Sequence, residues 1–300
     1  MQNNFKNIEF LKRITTSNYE SFLKLQPMIP FSPEIEEYLD ALSKALNEDP
    51  LIRKYPDVSA FSFFCRKANI SLLKKKFYDS SITKLGRGLV FHIAPSNVPV
   101  NFAFSLVMGL LSGNSNILRV PSKKYDQVDI IIKAINKLSK VSKYSNISDR
   151  IILVRYDRDS NATKKFSLNC DVRVIWGGDE TINEIRKNTL QPRAFDITFA
   201  DRYSICIING SEFVNEPKPE RVVEGFYNDT YLFDQNACTS AHLILWVGTK
   251  NKIEKAKNIF WEKLHILVDK RYEIQPVAAI DKLTNFYKQA IETENLTLEN

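Results

Sequence analysis

Leu89-Val-Phe-His-Ile-Ala-Pro-Ser-Asn-Val-Pro-Val100 joins a short apolar run to a turn rich in Pro and Asn, after which the chain stays apolar to Leu111. A short run bounded by turn residues reads as a buried strand, and the longer stretch 100–111 as a helix packed on it. The texture repeats downstream. Residues 116–120, 151–154 and 172–176 are further short apolar runs, and between them Val128, Ile131, Ile132, Ile135 and Leu138 recur at helical spacing. Strand alternating with helix implies right-handed βαβ units. The expected fold class is therefore α/β, a doubly wound and largely parallel sheet whose ligands sit at the carboxyl ends of the strands.

Outward from this centre, residues 1–85 read as a helical lead-in. Ser32 is the expected cap, Pro33 takes the first helical position, and Ile35, Tyr38, Leu39, Leu42 and Leu46 form one apolar face. Residues 86–203 form the expected dinucleotide-binding domain, with an apolar run at 195–199 near its end and another at 203–208 where the next domain begins. A second α/β domain, 204–300, is expected to hold a helix near 221–228, the strand 243–247, a helix at 252–268 and a last helix near 281–292.

The chain has 300 residues, 44% of them hydrophobic, enough for a substantial core. It contains no apolar run of the roughly eighteen residues a membrane span needs, and its polar N-terminus lacks the pattern of a signal peptide. A soluble, cytoplasmic protein is expected. Four cysteines (Cys65, Cys170, Cys206, Cys238) and three histidines (His92, His242, His265) are irregularly spaced, which excludes a disulfide framework and a zinc pattern. The net charge of +7 includes Lys74-Lys75-Lys76, but no nucleic-acid signature accompanies it. The lysines read as a solvated surface suited to anionic small molecules.

Loops at strand ends are where chemistry is expected. After the first strand, Asn97 and the amides opening the next helix could hold an oxyanion, or the segment is an ordinary βα turn. After the second, Ser122, Lys123 and Lys124 lie where an adenosine ribose would sit. No carboxylate stands there for a 2′-hydroxyl, so the loop suits the 2′-phosphate of NADPH, unless it is only a helix start with exposed lysines. Gly177-Gly178 would permit a tight turn near a phosphate, a weak signal by itself.

Cys238 follows Asp234-Gln-Asn-Ala and precedes Thr239-Ser240, a polar setting that places its thiol in a loop. A nucleophilic thiolate needs that exposure, and His242 is near enough in sequence to assist. Cys65 and Cys206 lie in apolar runs typical of inert buried thiols, and Cys170 has no evident partner.

Taken in order, Gly86-Arg-Gly-Leu-Val-Phe-His-Ile-Ala-Pro-Ser-Asn-Val-Pro99, Gly113-Asn-Ser-Asn-Ile-Leu-Arg-Val-Pro-Ser122, Val174-Ile-Trp-Gly-Gly-Asp-Glu-Thr-Ile182 and Asp234-Gln-Asn-Ala-Cys-Thr-Ser240 resemble the LuxC-type acyl-CoA reductases, a branch of the aldehyde dehydrogenase superfamily. The resemblance implies that Cys238 is the acylated cysteine and Asn97 the amide that holds the tetrahedral oxygen. It implies a cofactor site of Pro95, Arg119, Pro121, Ser122, Lys123, Gly177 and Gly178, binding NADPH. The implied substrate is acyl-CoA or another acyl thioester, reduced to an aldehyde, with an acyl-activating protein as partner and a homo-oligomer as assembly.

Hydrolytic members of that superfamily carry a Glu-Leu-Gly-Gly motif whose carboxylate activates water. Here Phe199-Ala-Asp-Arg-Tyr-Ser204 takes its place, which favours reduction over hydrolysis. Family members continue well over a hundred residues past the cysteine, so the resemblance implies that the second domain ending at Asn300 is incomplete. An acyltransferase or thioesterase using the same cysteine, and a noncatalytic nucleotide or acyl-carrier module, are the alternative readings.

Overall fold

Every residue of the run Leu89–Ile93 is buried, the condition under which an apolar segment without polar alternation serves as a central parallel strand. The computed structural model describes residues 7–12, 16–96, 98–157, 161–233, 235, 237–274 and 276–293. The chain divides into two units, Met1–Asp201 and Arg202–Asn300.

The first unit runs β1 (Ile8–Phe10), α1 (Thr16–Leu23), α2 (Pro33–Asn47), α3 (Pro56–Phe64), α4 (Lys67–Phe77), β2 (Leu89–Ile93), α5 (Asn101–Leu111), β3 (Ser115–Arg119), α6 (Asp126–Leu138), α7 (Ser145–Ser148), β4 (Ile151–Tyr156), α8 (Ala162–Asn169), β5 (Val172–Trp176), α9 (Asp179–Arg186) and β6 (Phe195–Phe199). Among the described residues these strands make one six-stranded sheet in the order β1-β4-β3-β2-β5-β6. β2 through β6 pair in parallel, and β1 lies antiparallel on β4. The order reverses between β2 and β5. In a doubly wound sheet that switch point opens a crevice at the carboxyl ends of the two strands.

Helices cover both faces. On one, the apolar stripe of α2 (Ile35, Leu39, Leu42) packs with Leu106 of α5 and Ile131 and Ile135 of α6. On the other, Phe22, Phe166 and Ile182 from α1, α8 and α9 meet Phe91, Ile117 and Ile175 of the sheet. The segment 1–85 is thus not wholly helical, because β1 joins the sheet through Glu9, whose Cα partner is Arg155. A strand of three residues has no periodicity to read, and β1 exists because β4 offers an edge. Nor does Ser32 cap α2 with its side chain. Its hydroxyl is buried with no hydrogen-bond partner among the described residues, while its carbonyl accepts from Ile35 and Glu36. Pro33 presets the first turn instead.

β6 is anchored by a buried cation. Arg173 of β5, 1% exposed, grips Asp196 of β6 through Nε (2.7 Å) and Nη2 (3.1 Å), and its Nη1 donates to Ser167 Oγ and the Asn188 carbonyl, each at 2.9 Å.

The second unit runs β7 (Ser204–Asn209), α10 (Gly210–Asn215), α11 (Pro219–Thr230), β8 (Ala241–Val247), α12 (Lys250–Arg271) and α13 (Pro276–Glu292). β7 and β8 form a parallel pair. One face packs Ile208, Ile244 and Trp246 against Phe213, Val223, Tyr227 and Phe260 of the helices. The other leaves Ile205, Ile207, Leu243, Leu245 and Val247 exposed. No helix among the described residues is long and apolar enough to cross a membrane.

Candidate active site

In the first unit, three loops meet at the carboxyl end of the sheet. After β2, Ala94 donates its amide to the Arg119 carbonyl (3.3 Å), Pro95 is half-buried, and the Ser96 carbonyl accepts from the Tyr125 hydroxyl (2.9 Å). Asn97 lies outside the described residues. Of the amides opening α5, Asn101 donates to the Val98 carbonyl and Ala103 to Val100. Those two are spent within the turn, so the helix start offers fewer free donors to an anion than its sequence promises.

After β3, Arg119 lies 4.8 Å above the Tyr156 ring and donates to the Tyr156 carbonyl at 3.2 Å. Pro121 is buried and its carbonyl accepts from Arg155 Nε (3.2 Å). Ser122, Lys123 and Lys124 are exposed, and neither lysine forms an ion pair among the described residues. Two exposed cations, Lys123 lying 5.2 Å over the Tyr125 ring, stand beside a hydroxyl and form a donor set that fits a phosphate.

After β5, Gly177 and Gly178 keep negative φ, so the backbone does not demand glycine there. Space does. A Cβ on Gly178 would stand 2.5 Å from Asp201 Oδ2, and one on Gly177 3.1 Å from the Thr181 methyl. Asp179 and Glu180 occupy the first turn of α9. With Asp201 they make this turn a negatively charged neighbour for any bound anion.

Beneath the crevice runs a polar chain that sequence reasoning missed. Trp176, the last residue of β5, stacks on Phe199 with ring centroids 3.7 Å apart and hydrogen-bonds Ser105 Oγ of α5 (3.2 Å). Ser105 Oγ meets His92 Nδ1 (2.8 Å), and His92 Nε2 meets Asn116 Oδ1 (3.0 Å). The signal available in the sequence was a histidine and an asparagine inside apolar runs.

The second unit carries the thiol. Cys238 follows the short 3-10 turn Tyr231–Phe233 and is exposed. Its carbonyl accepts from the Ser204 hydroxyl (2.8 Å), which ties the loop to the start of β7. Ser240, fully buried, donates to the Asp229 carbonyl at 2.7 Å, and Gln235 holds a positive φ of 59°. His242 lies with its ring 5.4 Å from that of Tyr203, and no hydrogen bond joins it to Cys238 among the described residues.

The other three thiols are less available. Burial pushes Cys65 far up and Cys170 up to about 12, and Cys170 Sγ is turned to the Ser167 carbonyl (3.4 Å). Cys206 is half-buried rather than buried, because only one face of β7 is covered, and burial raises its pKa. Exposure singles out Cys238 as the thiol open to an electrophile.

Residues 66–298 match the acyl-CoA reductase (LuxC) family. The chain belongs to that family. A curated relative in it, the long-chain acyl-protein thioester reductase of Photorhabdus laumondii subsp. laumondii, is 26% identical over 205 residues, covering 67% of this chain and 41% of the relative. The chain thus spans about two fifths of that relative's length. Among solved structures, proline utilization A (PutA) from Corynebacterium freiburgense superposes with a TM-score of 0.56 at 16% identity, covering 81% of this chain and 26% of that one. A betaine aldehyde dehydrogenase from Staphylococcus aureus in complex with NAD+ gives 0.51 at 19%, covering 85% and 48%. This LuxC-family chain has the aldehyde dehydrogenase fold.

Proposed function

We propose that the protein is an acyl thioester reductase in which Cys238 takes up the acyl group and NADPH reduces it to an aldehyde. The observation that carries this reading is the exposed Cys238 thiol, on a loop pinned by Ser204, in a chain of the acyl-CoA reductase family. The thiolate attacks the thioester carbonyl and the donor thiol leaves, so an acyl-enzyme forms without net redox change. Bound NADPH supplies the hydride that turns this thioester into a thiohemiacetal. The remaining steps fall to the protein. Asn97 holds the tetrahedral oxygen, and collapse of the thiohemiacetal releases aldehyde and the Cys238 thiolate.

Ser122, Lys123 and Lys124 receive the 2′-phosphate, Pro95, Arg119 and Pro121 frame the adenosine side, and the Gly177-Gly178 turn runs near the pyrophosphate. The absence of Glu-Leu-Gly-Gly at 199–204 keeps water from competing with hydride. The relative's description as a long-chain acyl-protein thioester reductase supports a long fatty acyl group, delivered as acyl-CoA or by an acyl-activating protein partner. The enzyme acts in the cytoplasm, as a homo-oligomer.

The test is to incubate the protein with radiolabelled acyl-CoA and then add NADPH. Label retained by wild type but not by Cys238→Ala, and released as aldehyde, is the expected result. Release as free acid without NADPH would replace the reductase by a thioesterase, and an unlabelled wild type would leave a noncatalytic binding module.

A further inference from the structure

The polar chain beneath the crevice has one consistent direction. Asn116 Nδ2 donates to the Asn114 carbonyl (2.9 Å), which turns Oδ1 toward His92 as an acceptor. His92 Nε2 therefore carries the proton, and Nδ1 accepts from the Ser105 hydroxyl. Ser105 Oγ in turn accepts from the Trp176 indole N–H, which can only donate. Each link fixes the next. His92 is 2% exposed, Ser105 5% and Asn116 0%, so these groups are shielded from bulk solvent. Burial holds the His92 pKa down near 4, which keeps the ring neutral as the chain requires. α5 is shaped to this chain, because a Cβ on Gly109 would stand 2.0 Å from Asn116 Oδ1.

The placement is what gives the chain a role. β2 and β5 flank the switch point, with Ile93 opposite Ile175, and each ends within a residue of a polar-chain member. His92 precedes the last residue of β2, and the loop 94–100 follows. Trp176 closes β5, and Gly177-Gly178 follows at once. The indole can take many orientations on a half-buried surface, but bonded to Ser105 and stacked on Phe199 it has one.

We propose that the chain Trp176–Ser105–His92–Asn116 is a positioning device that locks the carboxyl ends of β2 and β5 and so sets the crevice for a dinucleotide. The inference rests on the reductase reading for the identity of that ligand. Trp176, Ser105 and His92 are positioning residues that act through the backbone of the two loops.

Trp176→Phe keeps an aromatic ring for Phe199 but removes the N–H together with part of the indole, while Ser105→Ala removes the middle link with little change of volume. The measurements are NADPH affinity by fluorescence titration and the rate of Cys238 acylation by labelled acyl-CoA. Each single variant should weaken NADPH binding about 3- to 10-fold, the loss of one buried hydrogen bond, and leave acylation unchanged. The double variant should be no worse than the poorer single one, because both break the same chain. His92→Phe should behave likewise, and His92→Gln, which retains a donor and an acceptor, should recover part of the affinity. Wild-type affinity in the single variants, or losses that add in the double, would overturn the inference and leave the reductase reading standing. A wild type that binds no NADPH would overturn the cofactor reading instead. Amide hydrogen exchange at Gly177 and Gly178 then decides: faster exchange in Trp176→Phe upholds the device, and equal exchange overturns it.

Discussion

The parallel strands of the two units are built from similar residues and live in different surroundings. β2, β3, β4 and β5 are buried at nearly every position, whereas β7 and β8 alternate between covered and exposed. The cause lies outside the strands. Two layers of helices sandwich the first sheet, and one layer backs the second. Ile117 is therefore fully buried while Ile207 is 63% exposed. An apolar run states that a strand can be buried on both faces, and its neighbours decide whether it is. The doubly covered sheet is also where charge and polarity go deepest, since Arg173, His92 and Asn116 are tolerated only because each is bonded on every side that matters.

The contrast can be broken most forcefully at the buried ion pair. Asp196→Ala leaves the Arg173 cation uncompensated and should cost the first unit about 3–5 kcal/mol. Hydrogen exchange resolved by peptide should show that loss across β5 and β6, with β7 and β8 unchanged. Loss of equal size in both units would mean that they unfold together.

Acid should separate the units next. His92 has a folded pKa near 4 against an ordinary value of 6.5, so between those limits the unfolded chain binds a proton that the folded unit refuses. Its neutral-state stability is complete above about pH 6.5 and drains as pH falls toward 4, by roughly 3 kcal/mol in all. The histidines of the second unit, His242 and His265, are exposed. Urea melts from pH 7 to 4.5 check this, and His92→Gln should flatten the first unit's curve.

The smallest effect sharpens the comparison. Ile207→Thr should shift stability by no more than about 0.5 kcal/mol, while Ile117→Thr, which buries a hydroxyl and loses packing, should cost about 2 kcal/mol. Equal penalties at the two sites would show that the outer face of β7 is covered in solution.

Much of the first sheet was legible because its strands and helices advertise themselves locally. The apolar run at 89–93, the Val172–Trp176 strand and the stripe from Val128 to Leu138 each carry a period or a bounded length that sequence reading can detect. β1 carries neither. The glycine pair was legible as glycine, but the approach of Asp201 to Gly178, from beyond an intervening helix and strand, was not. Cys238 stood out from its polar flank, but its contrast with Cys65 and Cys170 became decisive only when their burial was known.

By itself the sequence determined the succession of strands and helices, the loop that carries the Cys238 thiol, and the motifs that mark the family. Periods of two and 3.6 residues and short polar turns are local properties of a chain. Only the tertiary structure decided the pairing of β1 with β4, the single covered face of β7 and β8, and the hydrogen-bonded line from Trp176 through Ser105 and His92 to Asn116. Those depend on groups distant in sequence coming within 3 Å or so of one another, where burial makes each bond count and no local pattern records it.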